Sequence, residues 1–309
     1  MIYTITLNPA IDKRIILNNF KIDGVNRFND EREDAGGKGI NVSKMIHNLG
    51  GNSTALGVVA GASGHFIKDQ LDKMGILHSF IEGEGNTRTN LKIVDPVHQT
   101  YTDINEEGKP ISDELLEQME KHLFEIIQKG DILVLAGSVP NNVSKDIYGK
   151  WIKTAKENDI KVLLDAEGEL LKQGILAGPY LIKPNIHELE GLLNKKIETQ
   201  SEVIECGKKL LDHDIKVVVI SRGSEGCILI SEDKVLHIPG LVVDVKSTVG
   251  AGDSMVGALA YALELDYSLE EAIALGVASS TATIQEEGSI MGSLENIIKM
   301  KSIVEVHQQ

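Results

Sequence analysis

Short apolar runs recur along the chain: IYTITL, STALGVV, DILVLAG, KVLLDA, YLIKP and IKVVVIS. Several are almost continuously hydrophobic, as expected of strands covered on both faces. Between them lie segments with helical spacing of apolar positions, such as GINVSKMIHNLG, SDELLEQMEKHLFEIIQ, SKDIYGKWIKTAKEN and SEVIECGKKLLDH. This alternation predicts an α/β fold, a mostly parallel sheet between helical layers, with ligands at the carboxyl ends of the strands.

Two stretches break the alternation. Residues 12–34 (DKRIILNNFKIDGVNRFNDERED) and 88–105 (RTNLKIVDPVHQTYTDIN) read as strands with polar turns and no helix between them. They are expected to form a small accessory sheet, a lid over the strand ends; irregular surface insertions are the alternative. Residues 247–284 are almost wholly helical in pattern. With no repeat or linker in view, residues 1–309 are expected to form one core domain carrying the inserted lid.

A chain of 309 residues can bury a full core without disulfides or metal. The formal net charge of −15 argues against general nucleic-acid or anionic-membrane binding, which need clustered Lys and Arg, so any anion site must be local. Cys206 and Cys227 have neither metal-ligand nor CxxC spacing and read as reduced, packed thiols. The amino terminus lacks a positive leader, and no segment approaches the roughly 18 apolar residues of a membrane span. A cytoplasmic protein is expected.

The chemistry concentrates at a few places. VGAGD (249–253) precedes the helix-compatible run SMVGALAYALEL. Glycines at a helix entry free backbone N–H groups for an anion, and the helix dipole reinforces them. A carboxylate there, Asp253, would compete with that anion unless it had a chemical task. AGGKGIN (35–41) offers close backbone approach, the charge of Lys38 and the amide of Asn41, suited to a sugar or phosphate, although an ordinary tight turn reads the same way. In KPNIHELEGLL (183–193), Asn185 and Glu188 either organise Mg²⁺ through water or simply cap a helix. SRGSEG (221–226) reads as a hairpin turn or the wall of a nucleotide pocket. The chain contains no GxxxxGK[ST] or GxGxxG pattern.

Together these residues are recognisable. STVGAGDSMVGA (247–258) and AGGKGINVS (35–43) resemble the C-terminal and N-terminal signatures of the PfkB, or ribokinase-like, carbohydrate kinase family. KPNIHELE and SRGSEG lie between them in the family's order, so the resemblance spans essentially the whole chain. TLNPAID (6–12), GVNR (24–27) and AGSVP (136–140) further resemble the phosphosugar branch, which includes 1-phosphofructokinases and tagatose-6-phosphate kinases.

The resemblance implies a ribokinase-like three-layer α/β/α sandwich with a β-sheet lid, ATP and Mg²⁺ as cofactors, and a homodimer formed through the lid strands. It implies in-line phosphoryl transfer with Asp253 as base and the N–H groups around Gly250, Ala251 and Gly252 as anion hole. Asp12, Gly37, Lys38, Asn41 and Ser138 would face the sugar hydroxyls, and Arg27, Lys38 and Arg88 its existing phosphate. Ser221, Gly223, Gly226, Thr248 and Gly250 would line the nucleotide site, with Asn185 and Glu188 at the metal. Arg222 departs from the aliphatic residue common there. TLNPAID with GVNR is more similar to the fructose 1-phosphate enzymes, so D-fructose 1-phosphate is the expected substrate and tagatose 6-phosphate the alternative. A non-catalytic sensor is disfavoured because base, glycines and the Asn/Glu pair are all present. A nicotinamide oxidoreductase is disfavoured because the glycine fingerprint is missing.

Overall fold

A computed structural model describes all residues, 1–309. In chain order the first elements are β1 (Ile2–Thr6), β2 (Ala10–Ile16), β3 (Asp30–Gly36), α1 (Lys38–Asn48), β4 (Ser53–Ala60), α2 (Gly61–Met74) and β5 (Leu77–Gly83). Next come β6 (Arg88–Asp95), β7 (Thr100–Asn105), α3 (Asp113–Ile126), β8 (Ile132–Ala136), α4 (Ile147–Glu157), β9 (Lys161–Asp165) and α5 (Gly168–Leu176). The last group is β10 (Leu181–Ile182), α6 (Ile186–Leu193), α7 (Gln200–Leu211), β11 (Val217–Ser221), β12 (Cys227–Ser231), β13 (Val235–Ile238), α8 (Ala251–Glu264), α9 (Leu269–Ile284), α10 (Leu294–Lys301) and β14 (His307–Gln308).

The main sheet has ten strands in the order β14-β13-β12-β11-β10-β9-β8-β1-β4-β5. All pairs from β11 to β5 are parallel, and the β12–β14 edge is antiparallel. Strand alternation sorts the buried side chains between two cores. Ile5, Leu133, Leu135, Val162, Leu164, Val218 and Ile220 meet α3, α4, α5 and α7, whereas Ile2, Ile132, Val134, Leu163, Val217 and Val219 meet α1, α8, α9 and α10. Helix α2 completes the second layer, placing Ile67 and Leu71 with Ala55 and Val59. This is the expected three-layer sandwich.

Local chemistry starts the helices. Ser112 caps α3, and Thr199 with Glu202 and Ser268 with Glu271 form capping boxes at α7 and α9. Because such ends are satisfied locally, the helices are free to dock by their apolar faces alone.

The two stretches without helices form a separate sheet in the order β3-β2-β6-β7. Its central β2–β6 pair is parallel and the outer pairs are antiparallel. Parallel pairing needs a long crossover, supplied here by α1, β4, α2 and β5 of the main fold. The Asp95 carboxylate accepts N–H groups from Asn19 (3.2 Å), Phe20 (2.7 Å), Val97 (3.0 Å) and His98 (3.3 Å), pinning two lid turns together. Cys206 and Cys227 are unpaired and buried, and burial pushes the Cys227 thiol up to about 12. No helix is long and apolar enough to cross a membrane.

Candidate active site

The carboxyl ends of β1, β8, β9 and β10 converge with the amino ends of α1 and α8 beneath the lid. Ile40 at the start of α1 donates its N–H to Thr6 Oγ1 (3.0 Å), fixing the helix to the end of β1. Helices α1 and α8 then pack closely because Gly257 has no side chain. A Cβ there would lie 2.9 Å from the Val42 carbonyl and the Met45 Cβ. That approach brings Asn41 Nδ2 to 2.8 Å from Asp253 Oδ2, across 212 residues of chain.

Gly250 precedes α8 with φ +77°, a left-handed value that suits glycine and turns the chain sharply into the helix. Ser254 N–H bonds to the Gly250 carbonyl (2.8 Å) and Ala251 N–H reaches the Thr248 carbonyl only at 3.5 Å. The N–H groups of Gly252 and Asp253 find no acceptor in the protein. Lys183 adds a charge here, its Nζ 3.3 Å from where a Cβ on Gly252 would sit. Open N–H groups beside a lysine can receive an anion.

Asp253 itself is 7% exposed. Burial, then the negative charge of Asp165, pushes its carboxyl up to about 6, against the opposing pull of Lys38, Asn41 and Lys183. Such a group can take a proton near neutral pH. Asp165 ends β9 and its Oδ1 lies 3.4 Å from both Lys38 Nζ and Lys183 Nζ. Burial would raise the Asp165 carboxyl, but Lys183 and Lys38 outweigh it and hold it below its usual range. Asp165 in turn raises the ammonium of Lys38.

A cavity of about 220 Å³ opens onto Asp253, with sixteen lining residues of which only one is hydrophobic. Asp12, Gly37, Lys38, Asn41, Arg88, Ser138 and Asp253 all line it, so seven residues singled out in the sequence meet in one place. The Arg88 guanidinium donates to the carbonyls of Glu106 (2.7 Å) and Asn8 (3.0 Å), and burial lowers its pKa. Asn90 Nδ2 donates to Asp12 Oδ1 (3.0 Å) from the neighbouring lid strand. Arg27 is different: it is exposed on the loop between β2 and β3 and does not line this cavity.

Asn185 and Glu188 line an adjoining cavity of about 900 Å³, which shares Glu167 with the first. They do form a capping box: Glu188 N–H donates to Asn185 Oδ1 and Asn185 N–H to Glu188 Oε2, each at 2.8 Å. Both sequence readings remain compatible with this, because Glu188 Oε1 takes no hydrogen bond and stays available to a hydrated cation. No cluster of three ligating side chains exists to cage a metal. The residues therefore suit Mg²⁺ held mainly by water and phosphate oxygens.

Thr248 lines a third cavity, of about 690 Å³, between the lid and residues 245–249. Ser221 lies beside Asn185 through an isolated parallel bridge, and Gly223 and Gly226 sit in the tight turn joining β11 to the antiparallel β12. The hairpin expected at SRGSEG is present; these three residues line none of the three cavities. Arg222 is ion-paired with Glu225 in the same turn.

Sequence reasoning missed Asp165, Lys183, Asn90 and Lys92. A signal existed for the first: KVLLDA ends an apolar strand on a single carboxylate, at the carboxyl end of the strand, where ligands bind in such sheets. Lys183 stood unassigned two residues before Asn185.

Comparison with known proteins identifies the family. The chain is 38% identical to a 1-phosphofructokinase of Borreliella burgdorferi, covering 92% of this chain and 91% of that protein. It is 32% identical to a tagatose-6-phosphate kinase of Staphylococcus epidermidis, covering 99% and 100%. Phosphofructokinase-2 from Escherichia coli, solved in complex with substrates and products, superposes with a TM-score of 0.94 at 30% identity, covering 97% of this chain and 98% of that one. The model of the pfkB family carbohydrate kinases matches residues 6–296. That match over nearly the whole chain, with a relative at 38% identity, places the chain in the pfkB family of carbohydrate kinases.

Proposed function

We propose that the protein transfers the terminal phosphoryl group of ATP to D-fructose 1-phosphate, giving D-fructose 1,6-bisphosphate and ADP. The observation that carries this reading is Asp253, a buried carboxylate with a pKa of about 6, set beside two unpaired helix N–H groups and Lys183. In the step, the sugar hydroxyl gives its proton to Asp253 while its oxygen forms a bond to phosphorus and the bond from phosphorus to ADP breaks. The N–H groups of Gly252 and Asp253 stabilise charge on the moving phosphoryl group. Asp12, Gly37, Asn41 and Ser138 orient the hydroxyls, while Lys38 and Arg88 supply positive charge on the sugar side of the cavity. Asn185 and Glu188 would hold Mg²⁺ through water, and the ion would offset phosphate charge.

The names of the relatives support a phosphosugar acceptor, with the 1-phosphofructokinases favouring fructose 1-phosphate. Two buried unpaired thiols fit a reducing, cytoplasmic setting. A polar cavity lined by Lys38 and Arg88 suits an acceptor that already carries a phosphate. The test is ADP release with Mg-ATP and, in parallel, fructose 1-phosphate, tagatose 6-phosphate, fructose 6-phosphate and fructose. Fructose 1-phosphate is expected to give the highest kcat/KM. Preference for tagatose 6-phosphate keeps the mechanism and replaces the substrate; no turnover of any sugar phosphate removes the kinase reading.

The same reading includes a homodimer formed through the lid. Ile22, Val25, Phe28, Val97, Tyr101 and Ile104, all on lid strands or turns, are exposed apolar side chains. Sedimentation velocity is expected to give the mass of two chains, and a single-chain mass at micromolar concentration would sink the dimer.

A further inference from the structure

The register of the lid sheet places its charges in rows. On β2 and β6, Asp12 stands opposite Asn90 and Arg14 opposite Lys92. Arg32 on β3 stands opposite Arg14, and Asp103 on β7 opposite Lys92. Alternation along each strand puts Asp12 and Arg14 on one face, and Asn90 and Lys92 on the same face. Asp12 and Asn90 line the sugar cavity, so this face looks into the cleft. One row further along, the lid carries three cations and a single carboxylate, Asp103.

Lys92 and Asp103 line both the sugar cavity and the 690 Å³ cavity beside it. Arg14 lines only the second, facing Lys246, Ser247, Thr248 and Val249, the segment that leads into Gly250 and the unpaired N–H groups of α8. Moving along β2 from Asp12 to Arg14 thus moves from the sugar toward the anion hole. The three cations of the row are not equally occupied. Arg32 is bonded to Asp34 within the lid (2.8 Å), and Arg14 reaches across to Glu287 on the core (2.8 Å). The Lys92 ammonium makes no hydrogen bond; its Nζ is 4.0 Å from Asp12 Oδ2, and the side chain is 18% exposed.

We propose that Lys92 and Arg14 contact the terminal phosphates of the nucleotide from the lid side, with Arg14 exchanging Glu287 for phosphate when the cleft is filled. The anion hole supplies backbone donors from below, and the lid row supplies full charges from above. An arginine fork and a lysine point charge are complementary means of holding phosphate oxygens. Glu287, more than half exposed, loses little by releasing Arg14 to water-filled surroundings. The inference rests on the kinase reading given above.

Steady-state kinetics at saturating sugar phosphate test it, together with calorimetric binding of ATP and of AMP, which lacks the terminal phosphates. Lys92→Met and Arg14→Met are expected to raise KM for ATP about tenfold each, the effect of one lost charge-assisted hydrogen bond. KM for the sugar phosphate and the affinity for AMP should stay within about twofold. Glu287→Gln is expected to act in the opposite direction, lowering KM for ATP about twofold by freeing Arg14. A rise in KM for the sugar phosphate alone assigns the row to the sugar's own phosphate and overturns the proposal. Equal weakening of ATP and AMP, or no change in either, overturns it as well. Failure of the wild-type protein to turn over any sugar phosphate counts against the kinase reading itself, while the comparison of ATP with AMP binding still decides the lid contact.

Discussion

Asp253→Asn is expected to lower kcat by about a hundred- to ten-thousand-fold, the range lost when a positioned general base is removed. The substitution keeps size and shape, and an amide oxygen can still accept from Asn41 Nδ2, so the packing between α1 and α8 is retained. KM values should therefore change far less than kcat, since the variant removes an interaction needed in the transition state. The wild-type protein also carries a signature in pH. With the Asp253 carboxyl pushed up to about 6, kcat/KM should fall as pH drops through that value, because only the ionised form accepts a proton. A loss below tenfold, or an acid limb at the pKa of an ordinary carboxylate, would move the base elsewhere.

The second large effect concerns a residue that is never expected to touch the reacting atoms. Asp165→Ala strips the shared partner from Lys38 and the buried Lys183, and stranding a buried charge costs about 3–5 kcal/mol. Denaturant unfolding measures this directly. The folded-state carboxyl of Asp165 is held below its usual range, so its contribution is present above the pKa of an unfolded aspartate. It disappears only as pH falls through the lower folded value. Asp165→Asn separates electrostatics from folding. Without the negative charge that raises Asp253, and with two lysines released, the acid limb of kcat/KM should shift to lower pH. An unmoved limb would show that burial alone sets the Asp253 pKa.

Much of the site was legible because its determinants are local. A glycine pair before a helix, a carboxylate in the first turn and a capping pair after a strand are each specified within a few residues. The hairpin at SRGSEG was likewise readable from its turn. Asp165 and Lys183 were harder to find because each is an isolated charge at the end of an apolar strand. Their meaning depends on which strands are neighbours. Lys38 and Asp165 are 127 positions apart, and only the β8-β9-β10 order sets the second lysine beside the same carboxylate. Arg27 shows the opposite case, a charge inside the lid stretch that its own loop leaves outside the cavity.

By itself the sequence determined the alternating strands and helices, the stretches of the extra sheet and the family signatures that contain Asp253. These follow from side-chain periodicity and from backbone requirements of glycine and proline, which act over a turn or two of chain. Only the tertiary structure decided that Asp165 is shared by two lysines, that Asn41 holds Asp253, and that Arg14 and Lys92 stand in one cationic row above the cleft. Each of these depends on register or on close helix approach between distant segments. Such pairings are selected by the packing of the whole core, and no short stretch of chain encodes them.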